Sequence, residues 1–283
     1  MNDSGISPIV EQMLRRVSPS SEGAPSQALR EVMQEVALAG LQRHGFFSKA
    51  AFYGGTCLRM FHQLPRFSED LDFSLLNSEP SFALQPYLQG LDEEFRALGI
   101  EVSIREKTKQ ISTAIASAFL KPSTTMVQLA WSGTGSLKIK LEVDTDPPLG
   151  FKTDEQLLLQ PYACYVKCFC LPDLFAGKMH AVLFRNWQQR VKGRDWFDLE
   201  WYIRNGTALH LDHLGERARQ SGHWPGDQPF TSESLHRLLA QRIANLNVAN
   251  ARIDIERFIA NSQPLQIWSK SYFQDLIQQL DLC

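Results

Sequence analysis

The chain has no run of 18 apolar residues and no basic-then-apolar segment near its start. These absences argue against a membrane-spanning helix and against secretion, so the expected location is the cytoplasm. Neither charge is in excess: 29 basic residues stand against 31 acidic ones, a net of −2. That excludes a global electrostatic footprint for nucleic acid, and any RNA partner must be held by a local basic patch. Cysteine is scarce and odd in number, with Cys57, Cys164, Cys168, Cys170 and Cys283 mostly in apolar surroundings. This fits reduced thiols rather than a disulfide framework. The 164, 168, 170 spacing is not a usual zinc pattern, and the nearest histidine, His180, lies ten residues beyond Cys170. There is no internal repeat and no low-complexity tract. Apolar residues make up 43% of the 283 residues, ample for one large domain or two smaller ones.

The stretch from Phe52 to Leu76, FYGGTCLRMFHQLPRFSEDLDFSLL, carries the most chemistry. Gly54 and Gly55 precede Thr56, an apolar helix-compatible run follows, and Arg66, Ser68, Asp70 and Asp72 then alternate into Leu71, Phe73 and Leu75. In a strand, residues two apart face the same way, so Asp70 and Asp72 share one face while Leu71 and Phe73 face the core. The spacing predicts a strand ending near Gly54, a tight turn, a helix starting near Thr56, and a strand bearing paired carboxylates. Glycine permits the turn, and a helix start offers free N–H groups to a phosphate. Paired carboxylates suit Mg²⁺, which takes oxygen ligands together with substrate phosphates. Such a site moves a phosphoryl or nucleotidyl group. Arg66 and Ser68 have two readings: they neutralise Asp70 and Asp72, or they contact nucleotide phosphate and fix the carboxylates.

Around this stretch, helices are expected over Ser7–Arg16, Gln27–His44 with Gly45 as its stop, and Pro80–Leu98. Strands are expected over Ile100–Lys107, Ile111–Phe119 and Thr124–Ala130. Leu137 to Asp144 alternates cleanly: Leu137, Ile139, Leu141 and Val143 face one way, and Lys138, Lys140, Glu142 and Asp144 the other. The pattern suits a charged edge strand, or a strand bringing a third carboxylate to Asp70 and Asp72, as a two-metal site needs. Strand geometry leaves Glu142 and Asp144 equivalent, since both point the same way. Asp146-Pro-Pro-Leu-Gly150 breaks the chain, and Lys152 to Lys167 reads as irregular, with Tyr162, Tyr165 and Val166 as a candidate extended piece. This places a boundary between a core at 1–150, with N-terminal helices, and a mainly helical region at 151–283. A helix over Pro172–Arg185 embeds Lys178 among Ala176, Gly177 and Ala181, as a snorkelling lysine would be. Asp195 and Asp198 stand one turn apart at the start of the next helix. Further helices are expected over Leu209–Arg219, Ser232–Leu246, Ala249–Ala260 and Leu265–Leu280.

The GGT-x-L-R and R-x-S-x-D-x-D-F strings, carried by Gly54, Gly55, Thr56, Leu58, Arg59, Arg66, Ser68, Asp70, Asp72 and Phe73, resemble the AbiEii/AbiGii-type nucleotidyltransferase toxins of the DNA polymerase beta superfamily. Tyr53 departs from the pattern, because members often carry lysine there. Lys140 and Glu142 match a lysine–x–glutamate element. Asp173, Leu174, Ala176 and Lys178 match D-L-x-A-x-K, and Arg194, Asp195, Asp198 and Leu199 match R-D-x-x-D-L. The resemblance implies an α+β fold: a polymerase-beta-like mixed sheet with flanking helices, followed by a C-terminal helical region that contributes Lys178. It implies Mg²⁺ held by Asp70, Asp72 and Glu142, with Asp144 the alternate. It implies a triphosphate gripped at Gly54, Gly55 and Thr56 and neutralised by Lys178 with Arg66, with Ser68 a further nucleotide contact. Asp195 would orient the acceptor hydroxyl or pair with Lys178. Relatives modify the 3′ end of tRNA as toxins of toxin–antitoxin or phage-defence systems, which implies nucleoside triphosphate and tRNA as substrates and a cognate antitoxin. A protein or small-molecule acceptor, and a non-catalytic nucleotide-binding module, are the competing expectations.

Overall fold

The computed structural model describes residues 7–17, 25–106, 124–132, 136–185 and 191–283. The expected strand at Ile111–Phe119 lies outside them. The chain divides into two compact units.

The first unit, residues 1–62, 67–147 and 153–168, is built on a seven-stranded mixed sheet. Its strands are β1 (Ala50–Tyr53), β2 (Leu71–Leu75), β3 (Val102–Glu106), β4 (Thr124–Ser132), β5 (Ser136–Asp144), β6 (Thr153–Leu158) and β7 (Cys164–Phe169). The order across the sheet is β3-β4-β5-β2-β1-β7-β6. Strand β2 sits at the centre, antiparallel to β1 and parallel to β5. Its apolar set Leu71, Phe73 and Leu75 is buried, as are Leu137, Ile139, Leu141 and Val143 of β5. The period-2 pattern therefore fixes which face of both strands meets the core. Phe73 packs edge-on against Phe46 at 5.0 Å and lies 5.3 Å from Phe52.

Among the described residues, this unit has four α-helices: α1 (Pro8–Val17), α2 (Pro25–Arg43), α3 (Gly54–His62) and α4 (Gln85–Ala97). Helix α2 buries Val32, Met33, Val36, Ala37, Leu38, Ala39 and Leu41. It crosses α4 closely at Gly40, where a Cβ would lie 3.2 Å from the Gly90 carbonyl oxygen. Gly45, at φ +75°, stops the helical run in the left-handed region that favours glycine. Helix α4 starts at Gln85, five residues later than its apolar spacing suggests.

The segment read as irregular forms β6 and β7, and Tyr165 and Val166 of the expected extended piece lie in β7 while Tyr162 precedes it. The break at Asp146–Gly150 takes the chain out of the first unit only briefly, because β6 and β7 return to the sheet and β7 pairs parallel with β1. Tyr165 is exposed while Val166 and Cys168 are buried, so β7 alternates after all.

The second unit, residues 63–66, 148–152 and 169–283, is helical: α5 (Leu171–Phe184), α6 (Gly193–Arg204), α7 (Leu211–Gln220), α8 (Ser232–Ala244), α9 (Val248–Glu256) and α10 (Lys270–Leu276). The helix expected over Leu265–Leu280 is broken into a 3₁₀ turn at Gln263–Ile267, α10, and a second 3₁₀ turn at Ile277–Gln279. Ser269 caps α10 by accepting from the Tyr272 N–H at 3.0 Å, which starts a new helix there. Gly193 lets α6 touch α9, since a Cβ there would sit 1.9 Å from the Ala251 carbonyl oxygen. Among the described residues, no helix is long and apolar enough to cross a membrane.

His213 of α7 is 1% exposed, beside the rings of Phe151 and Phe169 at 5.9 and 6.2 Å. Burial, then the charge of Arg217, pushes its pKa down to about 3. The unfolded chain binds a proton near pH 6.5 and the folded chain does not, so stability is full above pH 6.5 and falls as the pH drops toward 3. The expected slope reaches up to about 1.4 kcal/mol per pH unit. Urea midpoints measured from pH 7 to pH 5 should fall for the native chain and stay flatter for His213→Phe. Equal slopes would show that His213 does not set this acid sensitivity.

Candidate active site

The carboxylates of the first unit are placed by strand register. Asp72 of β2 pairs directly with Glu142 of β5, and Ser74 pairs with Asp144. The strands are parallel, so registered residues share a face. Asp70 lies two residues before Asp72, and Asp70, Asp72 and Glu142 are all half-exposed. Asp144 is buried, and its side chain accepts from the Asp146 N–H at 3.2 Å. Glu142 pairs with Lys140 at 2.7 Å, so the lysine–x–glutamate element is an ion pair along one strand face. The donor set suits a hard divalent cation, being all carboxylate oxygen on adjacent strands. Among the described residues, however, no three His, Cys, Asp or Glu side chains are gathered so as to hold an ion. Glu142 would exchange Lys140 for a cation on binding one.

Gly54 is required twice over. Its φ is +85°, and a Cβ would fall 2.5 Å from Asp72 Oδ2. The Asp72 carboxylate therefore rests against the backbone where α3 begins. Gly54→Ala is expected to cost about 1–3 kcal/mol of stability through the strained backbone. It should also lower transfer activity more than that loss explains, because the methyl group displaces Asp72. Activity compared with the folded fraction separates the two effects, and proportional losses would argue against displacement.

Thr56 is buried, and its hydroxyl donates to the Asp70 carbonyl. Gln34 of α2, 1% exposed, donates its amide to the carbonyls of Ser68 and Glu69, both at 3.2 Å. Together Thr56 and Gln34 hold the backbone that leads into the carboxylates. Sequence reading misses Gln34, although a glutamine inside the apolar run from Val32 to Leu41 is a usable signal. Ser68 is itself buried. Arg59 of the GGT-x-L-R string pairs with Glu31 at 2.8 Å, tying α3 to α2.

The remaining candidates lie within the second unit. Arg66 donates from Nε and Nη2 to both oxygens of Asp198, at 2.5 and 2.6 Å. Lys178 reaches Asp195 and Asp198, each at 2.8 Å. Arg185 stands 3.7 Å from Asp195. Asp198 is fully buried, and Arg66 is 3% exposed. Burial pushes the Asp195 carboxyl up, but Lys178 and Arg185 outweigh it and hold the pKa at about 2. Asp198 is likewise held below the usual carboxylate range, with burial opposed by Arg66 and Lys178. Three cations, Arg66, Lys178 and Arg185, thus meet two anions, Asp195 and Asp198. Asp173 of D-L-x-A-x-K is a clamp: it accepts from the Lys152 N–H at 3.0 Å and meets His210 at 2.6 Å. Arg194 stacks on Phe258 at 4.1 Å.

Residues 36–277 match the family described as nucleotidyl transferase AbiEii toxin, type IV TA system. The fold is similar to that of MenT4, a nucleotidyltransferase toxin of Mycobacterium tuberculosis, with a TM-score of 0.58 and 14% identity over 96% of this chain and 86% of that one. It is also similar to JHP933 of Helicobacter pylori, with a TM-score of 0.50 and 16% identity over 89% of this chain and 90% of that one. No curated protein shows significant similarity to the chain.

Proposed function

Because the chain belongs to the AbiEii family of nucleotidyltransferase toxins, we propose that it transfers a nucleoside monophosphate from a nucleoside triphosphate to the 3′ end of tRNA. Nucleotidyl transfer follows from membership of the family; the tRNA acceptor comes from the sequence resemblance. The observation that carries the reading is the direct register of Asp72 and Glu142, with the Asp72 carboxylate seated on Gly54.

In the reaction the acceptor hydroxyl oxygen forms a bond to the α-phosphorus. The bond from that phosphorus to the bridging oxygen breaks, pyrophosphate leaves, and the hydroxyl proton is lost. Asp70, Asp72 and Glu142 would hold Mg²⁺, which supplies Lewis acidity at the phosphates and lowers the pKa of the attacking hydroxyl. The register supports Glu142 over Asp144, because Glu142 stands opposite Asp72 and Asp144 stands opposite Ser74. The backbone N–H groups at the start of α3 are the proposed grip for the triphosphate. The Thr56 hydroxyl holds the Asp70 carbonyl, so it acts on the position of the carboxylates. Lys178 is the proposed phosphate neutraliser on its motif, and Asp195 and Asp198 fix where its ammonium stands.

The test is incubation of the purified protein with Mg²⁺, each α-³²P-labelled nucleoside triphosphate and total bacterial RNA, with a chelated control. Label moving to tRNA-sized RNA only in the presence of Mg²⁺ supports the reading and names the base. Label on the protein itself indicates a protein acceptor, and label on a small product indicates an antibiotic or metabolite. No transfer from any triphosphate would favour a non-catalytic nucleotide-binding module. In the toxin reading, co-expression with an antitoxin relieves growth arrest.

A further inference from the structure

A cavity of about 160 Å³ lies within the second unit, where the end of α5, the start of α6 and the end of α8 meet. Arg185, Lys192, Arg242 and Asp195 line it, beside the apolar Val182 and Trp196. Among the described residues lining it, Asp195 is the one carboxylate. Lys178 already meets that carboxylate at 2.8 Å, closer than Arg185 at 3.7 Å. Asp198, one turn along α6, is met by Arg66 and Lys178. Four cations, Arg66, Lys178, Arg185 and Arg242, therefore stand against two carboxylates, an excess of two positive charges before Lys192 is counted.

Arg242 is the cation most in need of an anion. It is half-buried, and among the described residues no carboxylate pairs with it. Its Nε and Nη2 donate to the Val182 and Arg185 carbonyls at 3.0 and 2.5 Å, which are left open where α5 ends. These bonds fix the guanidinium at the cavity and use only part of its donor fork. Burial pushes its pKa down, the sign of a charge held without a counter-charge.

We propose that this cavity binds a phosphate group. Its volume is well below the roughly 300–1,000 Å³ of sites that hold whole small molecules, so it admits a phosphate and excludes a base with its sugar. Charge selects a dianion. A carboxylate would cancel one of the two surplus charges, whereas a terminal phosphate cancels most of both. The guanidinium fork also matches phosphate oxygens in geometry. Inorganic phosphate and the terminal phosphate of a larger molecule share this chemistry. The site stands on charge and size and does not rest on the transferase reading, although Asp195 borders both.

The test is a ³¹P NMR titration of the purified protein with inorganic phosphate at fixed ionic strength, without Mg²⁺ so that no transfer occurs. Phosphate should bind the native chain, and acetate should displace it only at roughly ten-fold higher concentration, because it carries one charge. Arg242→Gln should weaken phosphate binding roughly ten- to a hundred-fold, the loss of a charge-assisted hydrogen bond. Arg242→Lys should recover part of that loss, since the charge returns without the fork. Should Arg242→Gln fail to fold, Arg185→Gln serves instead: its side chain is 53% exposed, and its removal should weaken binding in the same direction. Competition by a nucleoside triphosphate and not by its nucleoside would support the site as the seat of a nucleotide's phosphate tail. Phosphate binding indifferent to triphosphate would support it as a site for free phosphate. No binding by the native chain, acetate binding as tightly as phosphate, or equal binding by the native chain and both arginine variants overturns the proposal. Such a failure leaves the proposed reaction standing, because no step of it passes through Arg242.

Discussion

Asp72→Asn is expected to lower nucleotidyl transfer by about a hundred- to a thousand-fold, a loss of several kcal/mol of transition-state stabilisation. The thermal midpoint should stay level or rise. The two effects separate because Asn matches Asp in shape. It keeps the contact with the Gly54 backbone, where the carboxylate oxygen sits so close that a methyl group would not fit. It also removes the negative charge that stands in direct register with Glu142 on the neighbouring strand. Carboxylates in direct register repel, and relief of such a pair is worth at most a few tenths of a kcal/mol, or about one degree, since Lys140 already meets Glu142. A second readout follows from linkage. Mg²⁺ with a nonhydrolysable triphosphate should raise the melting temperature of the native protein and not that of the variant. A variant that retains transfer within about ten-fold of the native rate would remove Asp72 from the reaction. A variant that melts several degrees lower would give Asp72 a structural role instead.

Much of this site is legible in the sequence because short-range periodicity governs it. Alternation over Leu71–Leu75 and Leu137–Asp144 gives both faces of both strands, and the burial of Phe73 and Leu141 follows from it. Sequence does not tell Glu142 from Asp144, since both share a face; their different neighbours, Asp72 and Ser74, come from the pairing of two strands seventy residues apart. Strand β6 is hidden for a different reason. It lies at the sheet edge, carries Asp154 and Glu155, and leaves Leu157 48% exposed, so no clean alternation marks it. Strand β7 is legible in part, because Tyr165 and Val166 mark an extended piece and alternate exposed and buried. The roles of Thr56 and Gln34 rest on hydrogen bonds to backbone carbonyls, which residue identity does not reveal. The partner of Arg66 is 132 positions away. From sequence, Arg66 either pairs with Asp70 and Asp72 or contacts nucleotide phosphate, and the structure joins it to Asp198.

Arg66→Ala should destabilise the protein by about 3–5 kcal/mol, a drop of roughly 10 °C in melting temperature. Arg66 is 3% exposed and Asp198 is fully buried, so the pair is bonded out of reach of solvent. A buried pair often contributes little net stability over a well-packed apolar pair, because desolvation offsets the attraction. Removing one member alone is different, since it leaves a charge with no solvent to stabilise it. In the variant, Asp198 would be left to Lys178, which it contacts at 2.8 Å and which it shares with Asp195, itself 3.7 Å from Arg185. The pH dependence gives the sign. Asp198 is held below its ordinary range in the folded chain, with burial opposed chiefly by Arg66. Its contribution is therefore present above about pH 4 and lost as the pH falls below that. The gap between native and Arg66→Ala stability should be widest near neutral pH and narrow in acid, where Asp198 can take a proton. An Arg66→Met, Asp198→Leu double variant should recover most of the loss, because no unpaired charge remains. Urea unfolding of the four proteins of that cycle measures the coupling directly. If Arg66→Ala alone costs less than about 1 kcal/mol, the value of an exposed pair, then the bidentate contact does not hold this unit together. Arg66 would then return to the role its motif suggests, a cation kept for nucleotide phosphate.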